Sequence, residues 1–138
     1  LDVTRMGIYK NAFELIKENP FFGIGAGSFT EIFFLNTNFW KGHSHNLLFE
    51  LSISYGLPST IIFFICTTNI LYLSSKKIFS KKHDINYIDR AFWTALFFFL
   101  ISQLADVQYF DGKISLITWI LIAGLKNIIC DINYKTST

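Results

Sequence analysis

Long stretches of the sequence lack charged residues. No Lys, Arg, Asp or Glu occurs in residues 57–73, 91–105 or 114–125, and each of these stretches is rich in apolar side chains. The formal net charge of the 138 residues is only +2, which provides no bulk attraction to a polyanion. The composition therefore excludes the usual basic nucleic-acid-binding domain, and we expect no nucleic-acid partner.

Cysteines are scarce, and no signal peptide is recognisable. Cys66 and Cys130 are the two cysteines of the chain, and both lie in apolar stretches. We expect them to pack as small hydrophobic residues rather than to form a disulfide. The sequence begins at Leu1, and no basic segment leads into an apolar core as in a signal peptide. We interpret the chain as a fragment of a longer protein. Its expected partners then include the missing N-terminal part of the same chain.

Apolar and aromatic residues are abundant, at 51% and 18% of the chain. Uncharged apolar stretches separated by basic turns are typical of helices that cross a bilayer. We therefore predict an all-α, polytopic integral membrane protein fragment with about three transmembrane helices, at about 57–73, 91–110 and 114–130. These helices would occupy residues 57–138, after a loop formed by residues 1–56.

The basic residues predict the orientation of these helices in the lipid bilayer. Five Lys and Arg residues fall in the short loop 74–90, and short loops rich in Lys and Arg face the cytoplasm. Residues 1–56 and the turn at 111–113 would then be extracytoplasmic, in the periplasm. The C-terminal tail would be cytoplasmic.

The predicted extracytoplasmic segment combines helical and loop signals. Apolar residues recur every three or four positions over residues 3–18, which predicts an amphipathic helix that ends at Asn19-Pro20. A glycine-rich loop and a short apolar segment follow. A further helical stretch begins near His45. Gly56 and Pro58 predict a break in it, because proline cannot donate a backbone hydrogen bond.

Two motifs in this segment carry a family resemblance. His45-Asn46, nine further residues and Gly56 match the pattern His-Asn-x9-Gly. Upstream, the loop reads Pro20-x-x-Gly23-x-Gly25-x-Gly27-x-Phe29. Together they resemble the O-antigen ligase family, whose loop pattern has Leu where this chain has Phe21. The family also places an arginine ahead of an amphipathic helix, where this chain has Arg5.

The resemblance implies a glycosyltransferase of the bacterial inner (plasma) membrane, acting in surface polysaccharide or lipopolysaccharide assembly. Its donor would be a polyprenyl-diphosphate-linked (undecaprenyl diphosphate) glycan. The acceptor would be a lipid A-core sugar in a ligase and another glycan repeat unit in a polymerase, and the sequence leaves these two open. The reaction implied is metal-independent and uses no cofactor.

His45 and Arg5 are the candidate catalytic residues. An imidazole titrates near neutral pH, so His45 suits deprotonation of an acceptor hydroxyl, although a histidine here could also be structural. A guanidinium grips phosphate oxygens bidentately, so Arg5 suits the leaving diphosphate, although a surface arginine is an equal alternative. Asn46 could orient His45, bond a sugar hydroxyl or satisfy backbone at a helix start.

The remaining candidates are assigned to substrate binding. Gly23, Gly25 and Gly27 could let backbone approach a phosphate or could make a tight turn, and we favour packing with secondary substrate contact. His43 is expected near the pocket. We expect no metal site, because no further cysteine, histidine or carboxylate accompanies His43 and His45 in the sequence.

Three further polar residues, Asp106, Gln108 and Asp111, fall at the outer end of the predicted second span. They could line a cavity or simply mark the membrane boundary. Two other function classes compete with the enzyme. A transporter or channel fragment would distribute polar residues through the spans, which are nearly all apolar here. An inactive assembly partner would have lost the site residues, whereas His45 and Arg5 are present.

Overall fold

The computed structural model describes residues 4–80 and 87–135, with side chains described as far as residue 130. All regular structure in these ranges is helical, which confirms the all-α prediction for them. The five helices are α1 (Arg5–Glu18), α2 (Ser28–Thr37), α3 (Leu47–Ile78), α4 (Tyr87–Ser102) and α5 (Gly112–Lys135). The chain forms two compact units, one of Leu1–Phe63 with Ser102–Val107 and one of Phe64–Ile101 with Gln108–Thr138.

Helix α1 is the predicted amphipathic helix. The Thr4 hydroxyl caps its start by accepting from the Gly7 backbone N–H at 3.5 Å. The helix ends at Glu18, and Asn19 forms its C-cap just before the proline, as the steric restriction on a residue before proline requires. Ile8, Ala12 and Ile16 of this helix are buried in the core of the first unit, together with Phe29, Phe33 and Ile53. Met6 and Phe13 are exposed, so the apolar face of α1 is only partly covered.

Helix α3 is broken at Gly56, as predicted. Gly56 has φ +83° and ψ 165°, far from helical values, and Pro58 follows two residues later. Helical backbone resumes beyond the break and continues to Ile78. The start of α3 differs slightly from the prediction. The helix begins at Leu47 rather than at His45, because Asn46 forms the cap.

The glycine loop supplies the hydrogen bonds that the break in α3 leaves unmade. Pro58 has no N–H to donate to the carbonyl four residues earlier, and that carbonyl, of Ser54, accepts from Gly25 N–H at 3.2 Å. The preceding carbonyl, of Ile53, accepts from Ile24 N–H at 2.8 Å. In the other direction, Leu57 N–H donates to Pro20 O at 2.8 Å. The loop and the broken helix therefore form a single hydrogen-bonded joint.

The joint requires glycine on both sides. A Cβ on Gly56 would collide with the Phe21 carbonyl, and a Cβ on Gly23 would collide with the Ile53 carbonyl. Both glycines also have positive φ, at +83° and +68°, a region that other residues adopt at a cost. The two sequence motifs, although more than twenty residues apart, thus form one contact.

The second unit packs α4 and α5 around Leu96, Ile122 and Leu125. Helix α4 ends at Ser102, so the prediction of a helix continuing to residue 110 is wrong. Residues 103–110 turn instead, with Ala105 and Asp106 N–H both donating to Ser102 O.

Among the described residues, two helices are long and apolar enough to cross a membrane, Leu47–Ile78 and Gly112–Cys130. At 1.5 Å per residue, the sixteen residues of α4 reach roughly 24 Å, short of a hydrocarbon core of about 30 Å. The third span and the division at residue 56 stay predictions. Two of the five basic residues that predict the orientation, Lys81 and Lys82, lie outside the described residues.

The joint generates the first prediction. Gly56→Ala should destabilise the protein more than Gly27→Ala, although both glycines have φ near +80°. Gly27, at ψ −8°, bears the left-handed penalty of about 1–2 kcal/mol. Gly56, at ψ 165°, lies in a region that is essentially restricted to glycine, so its backbone penalty is at least as large. Only the Cβ at residue 56 meets backbone, whereas nothing lies within 4 Å of the position at Gly27. Thermal unfolding of the purified variants would measure the difference, and equal melting temperatures would contradict the close approach.

Candidate active site

His45 and Asp106 form the central pair of the candidate site. His45 Nδ1 lies 2.9 Å from Asp106 Oδ1, with 27% of the histidine side chain and 50% of the aspartate side chain exposed. The pKa of Asp106 is lowered from its usual 3.8, mainly by the hydrogen bond from His45, with further help from Val107 N–H and the charges of the two nearby histidines; partial burial opposes the shift.

This pair determines which nitrogen of His45 can take a proton. An ionised carboxylate only accepts hydrogen bonds, so the proton on the neutral imidazole belongs on Nδ1. The lone pair then lies on Nε2, on the other side of the ring. A carboxylate that fixes the tautomer in this way also stabilises the imidazolium that forms when Nε2 is protonated. The geometry suits His45 to accept a proton from a ligand.

His43 supports the backbone of His45. The Nδ1 atom of His43 accepts from His45 N–H at 3.3 Å, and the two rings meet edge to face at 4.5 Å. His45 has φ +56°, in the left-handed region. A non-glycine residue there costs of order 1–3 kcal/mol and persists only where its surroundings enforce it. The hydrogen bonds to His43 and Asp106 are part of that enforcement.

Asn46 joins the histidine to the segment that carries Asp106. Its Oδ1 accepts from Leu48 N–H at 2.9 Å and so caps α3, while its Nδ2 donates to Leu104 O at 3.0 Å. A backbone bond from Leu47 N–H to Gln103 O, at 2.9 Å, makes a second link. The structural role considered for Asn46 is therefore present. Contact with a sugar hydroxyl stays a prediction.

A buried carboxylate holds the turn that precedes α3. Glu50 is only 3% exposed, and its Oε2 accepts from Ser44 N–H at 2.8 Å. Ser44 is itself fully buried, and its hydroxyl donates to Asn46 O at 3.2 Å. The turn that presents the two histidine rings is thus tied to the first turns of α3.

Helix α1 reaches the site through Tyr9. The Tyr9 hydroxyl lies 3.5 Å from His45 O, and its ring packs against Phe49 with centroids 5.2 Å apart. Arg5 lies one turn before Tyr9, and residues four apart share a face of a helix. The Arg5 side chain is exposed, and no described contact joins it to His45.

The three loop glycines differ in their surroundings. Gly23 packs against the backbone of α3, which supports the packing role favoured for this loop. A Cβ on Gly25 would meet only the Ser28 hydroxyl, at 3.3 Å, and Gly27 borders open space. Phosphate or sugar contact by any of the three stays a prediction.

The premise of the metal prediction is wrong. A carboxylate does accompany the two histidines, because the fold brings Asp106 to them across 61 residues of sequence. Ligand atoms of His43, His45 and Asp106 all lie within 4.8 Å of one another, close enough to hold a metal ion. In the present arrangement His43 Nδ1 is engaged by His45 N–H. The expectation of no metal stays a prediction.

Asp106 is the residue whose role the sequence did not reveal. Its position at the outer end of the predicted second span placed it on the side of the membrane predicted for His45, and this was the available signal. The prediction of a helix through residue 110 gave no reason to expect Asp106 beside His45. In the structure it lies beyond the end of α4, in a turn that aims its carboxylate at His45.

Comparison with known proteins agrees with the motifs. Residues 2–64 match the family model described as O-Antigen ligase. This segment is O-antigen ligase-like. The match covers α1, the glycine loop, α2 and the first half of α3, with both motifs and Arg5, and confirms the resemblance. It spans less than half of the chain and leaves Asp106 outside. No curated protein and no solved structure shows significant similarity to the chain.

The lowered pKa of Asp106 generates the second prediction. The folded chain holds this carboxylate ionised below pH 3.8, where the unfolded chain binds a proton more readily. The pair therefore contributes stability fully above the ordinary carboxyl pKa, and the contribution is lost as pH falls through the lowered folded value. The difference in melting temperature between wild type and Asp106→Asn should be largest above the ordinary carboxyl pKa and should shrink as the pH falls through the lowered folded value.

Asp111→Asn is the matched control, because Asp111 carries the same charge but caps the start of α5 through Lys113 and Ile114 N–H. Thermal unfolding of the two variants in the same detergent makes the comparison. An Asp106→Asn difference that stays constant across this pH range would contradict the ionised pair.

Proposed function

We propose that the chain belongs to a membrane glycosyltransferase of the O-antigen ligase or polymerase type. It would transfer a glycan from a polyprenyl diphosphate to a hydroxyl of an acceptor sugar. The observation that carries the proposal is the 2.9 Å contact between His45 Nδ1 and Asp106 Oδ1, in a chain whose first part is O-antigen ligase-like. This contact supports general-base chemistry, because the carboxylate fixes the imidazole tautomer and stabilises the imidazolium that forms.

The proposed reaction is a displacement at the anomeric carbon of the donor. His45 Nε2 takes the proton of the acceptor hydroxyl while the hydroxyl oxygen bonds to the anomeric carbon. The bond from that carbon to the diphosphate oxygen breaks, and its electron pair leaves with the diphosphate. Asp106 stabilises the imidazolium during this step and keeps the ring oriented. A metal ion is not required for any of these transfers.

Arg5 is the proposed partner of the leaving diphosphate. It is the first residue of α1, where the positive end of the helix dipole adds to the potential of the guanidinium. Helix α1 also contacts the His45 backbone through Tyr9, so a donor held near Arg5 would lie on the side of α1 that approaches the base. Asn46, His43, Gly25 and Gly27 are the proposed contacts to the sugars.

The proposed setting is the bacterial inner membrane, with the site on the periplasmic side. The family match and two apolar helices of spanning length support a membrane location. The orientation rests on the basic residues of segment 74–90, of which Lys76 and Lys77 lie at the end of α3 and Arg90 lies in α4. The acceptor would be a lipid A-core sugar or a growing glycan.

His45→Ala in the full-length enzyme should remove most glycan transfer while leaving the protein folded and inserted. Loss of a general base typically lowers the rate about 10²–10⁴-fold. Asp106→Asn should lower it by about tenfold or more, because the neutral amide stabilises the imidazolium less. Asp111→Asn removes the same charge without touching the pair and should transfer at the wild-type rate. The measurement is the transfer rate per folded enzyme with a lipid-diphosphate donor.

Near wild-type turnover by His45→Ala would rule out His45 as the general base. A loss of activity in parallel with a loss of folded protein would show that the histidine is structural. The same assay is repeated in the presence of a chelator, and transfer activity is measured again. Activity that disappears with chelator and returns with a divalent cation would replace the direct base by metal chemistry at His43, His45 and Asp106.

Arg5→Lys should weaken use of the donor more than use of the acceptor. Lysine keeps the charge but cannot form the two parallel hydrogen bonds that a guanidinium makes to phosphate. We expect the KM for the lipid-diphosphate donor to rise and the KM for the acceptor to stay nearly constant. Lys10→Arg, a charge-conserving change at another exposed position of α1, is the control. Equal changes in both KM values would rule out a specific diphosphate contact.

A further inference from the structure

Two adjacent aromatic side chains at the joint project away from the core of the first unit. Phe21 is 69% exposed and Phe22 is 89% exposed. They do not lie on a loose segment, because Leu57 N–H binds Pro20 O and the Gly56 backbone packs against the Phe21 carbonyl. Two adjacent exposed apolar rings on a hydrogen-bonded loop form a contiguous apolar patch, the kind of surface that contacts a partner or a membrane.

The joint fixes the position of these rings relative to the first apolar run. The N–H of Leu57 donates to the carbonyl of Pro20, the residue before Phe21. Leu57 is also the first residue of the uncharged stretch 57–73. Beyond the break, α3 exposes further apolar side chains within the first unit, at Ile61 (55%) and Ile62 (62%). The two phenylalanines therefore lie at the level where the candidate membrane-spanning part of α3 begins.

The charge pattern of this region is compatible with insertion into lipid. No charged residue occurs from Asn19 to Thr30, nor from Leu51 to Ser75. Placing the loop at the boundary between headgroups and acyl chains would thus desolvate no charge from either segment, and charge is what makes membrane insertion costly. The backbone groups of the loop that bond to α3 are already satisfied, which removes a second cost of leaving water.

We propose that Phe21 and Phe22 form a lipid-binding site that inserts into the bilayer interface beside the start of the α3 span. The occupant is the headgroup and upper acyl region of bilayer lipids, into which aromatic and aliphatic side chains of interfacial segments insert. The loop thereby anchors the joint, and through it the turn that carries His45, at a defined depth. This inference rests on the membrane location in the proposed function but not on the glycosyl transfer.

Collision accessibility of a spin label at residue 22 tests the proposal. The full-length protein, with Cys66 and Cys130 replaced by serine, carries a nitroxide at Phe22→Cys in vesicles of phosphatidylethanolamine and phosphatidylglycerol. Lys10→Cys, at an exposed charged position of α1, is the aqueous control. Ile62→Cys is the control within the span. We expect the labels at residues 22 and 62 to be severalfold more accessible to oxygen than to a water-soluble nickel complex. The label at residue 10 should be more accessible to the nickel complex than to oxygen.

Two outcomes at residue 22 would overturn the lipid contact. Nickel accessibility equal to that at residue 10 would place the rings in water, and low accessibility to both reagents would place them against protein. A label at residue 62 that is open to nickel would overturn the membrane location together with the inference. Glycan transfer by His45→Ala is measured separately, so failure of the proposed base would leave the lipid contact standing.

Discussion

The hydrogen-bonded joint between the glycine loop and the broken helix α3 is the interaction on which the first unit depends. A proline in a helix leaves a carbonyl without its donor, and an unpaired buried backbone group costs about as much as a lost hydrogen bond. Here Gly25 supplies the donor to Ser54, and Leu57, freed from its helical partner, donates to Pro20. The break costs little free energy because the glycine loop supplies the missing hydrogen-bond partners. The same hydrogen bonds hold the loop in place.

The candidate site follows from this arrangement and from a second tie. The first turns of α3 carry Asn46, which bonds to Leu104 in the turn beyond α4. That turn supplies Asp106, and the carboxylate meets His45 at 2.9 Å. The proposed base would thus draw on two groups from segments 61 residues apart. Neither segment alone contains both the imidazole and the charge that orients it.

Local features of the fold were predictable because their causes are local. The end of α1 before Pro20 and the break at Gly56 both follow from steric limits on one or two residues. The histidine was found through its motif. The partner of that histidine was not found, because no rule of spacing connects residue 45 to residue 106. The end of α4 at Ser102 was missed for a related reason, since the apolar pattern continues past it and the tertiary bonds of residues 103 and 104 end the helix.

The same limit explains why the role of the glycines was only half predicted. Positive φ values are an expected use of glycine, but the closeness of Gly23 and Gly56 to backbone depends on which segments meet. In sequence the two motifs read as separate signals, one for a loop and one for a catalytic helix. In the structure, the backbone near each motif lies where a side chain on the glycine of the other motif would collide.

The short arm of α3 between Gly56 and Asn46 has a mechanical consequence. Its nine residues, from Leu47 to Tyr55, form a rod of roughly 14 Å, with the hinge-like glycine at one end and the histidine turn at the other. A rotation of ten degrees or so at the hinge would sweep the far end through roughly 2–3 Å, and misplacement by about 1 Å can cost a reaction about a hundredfold. The position of His45 therefore depends on the stiffness of the joint at the opposite end of the rod as well as on the bond from Asn46 to Leu104 beside it.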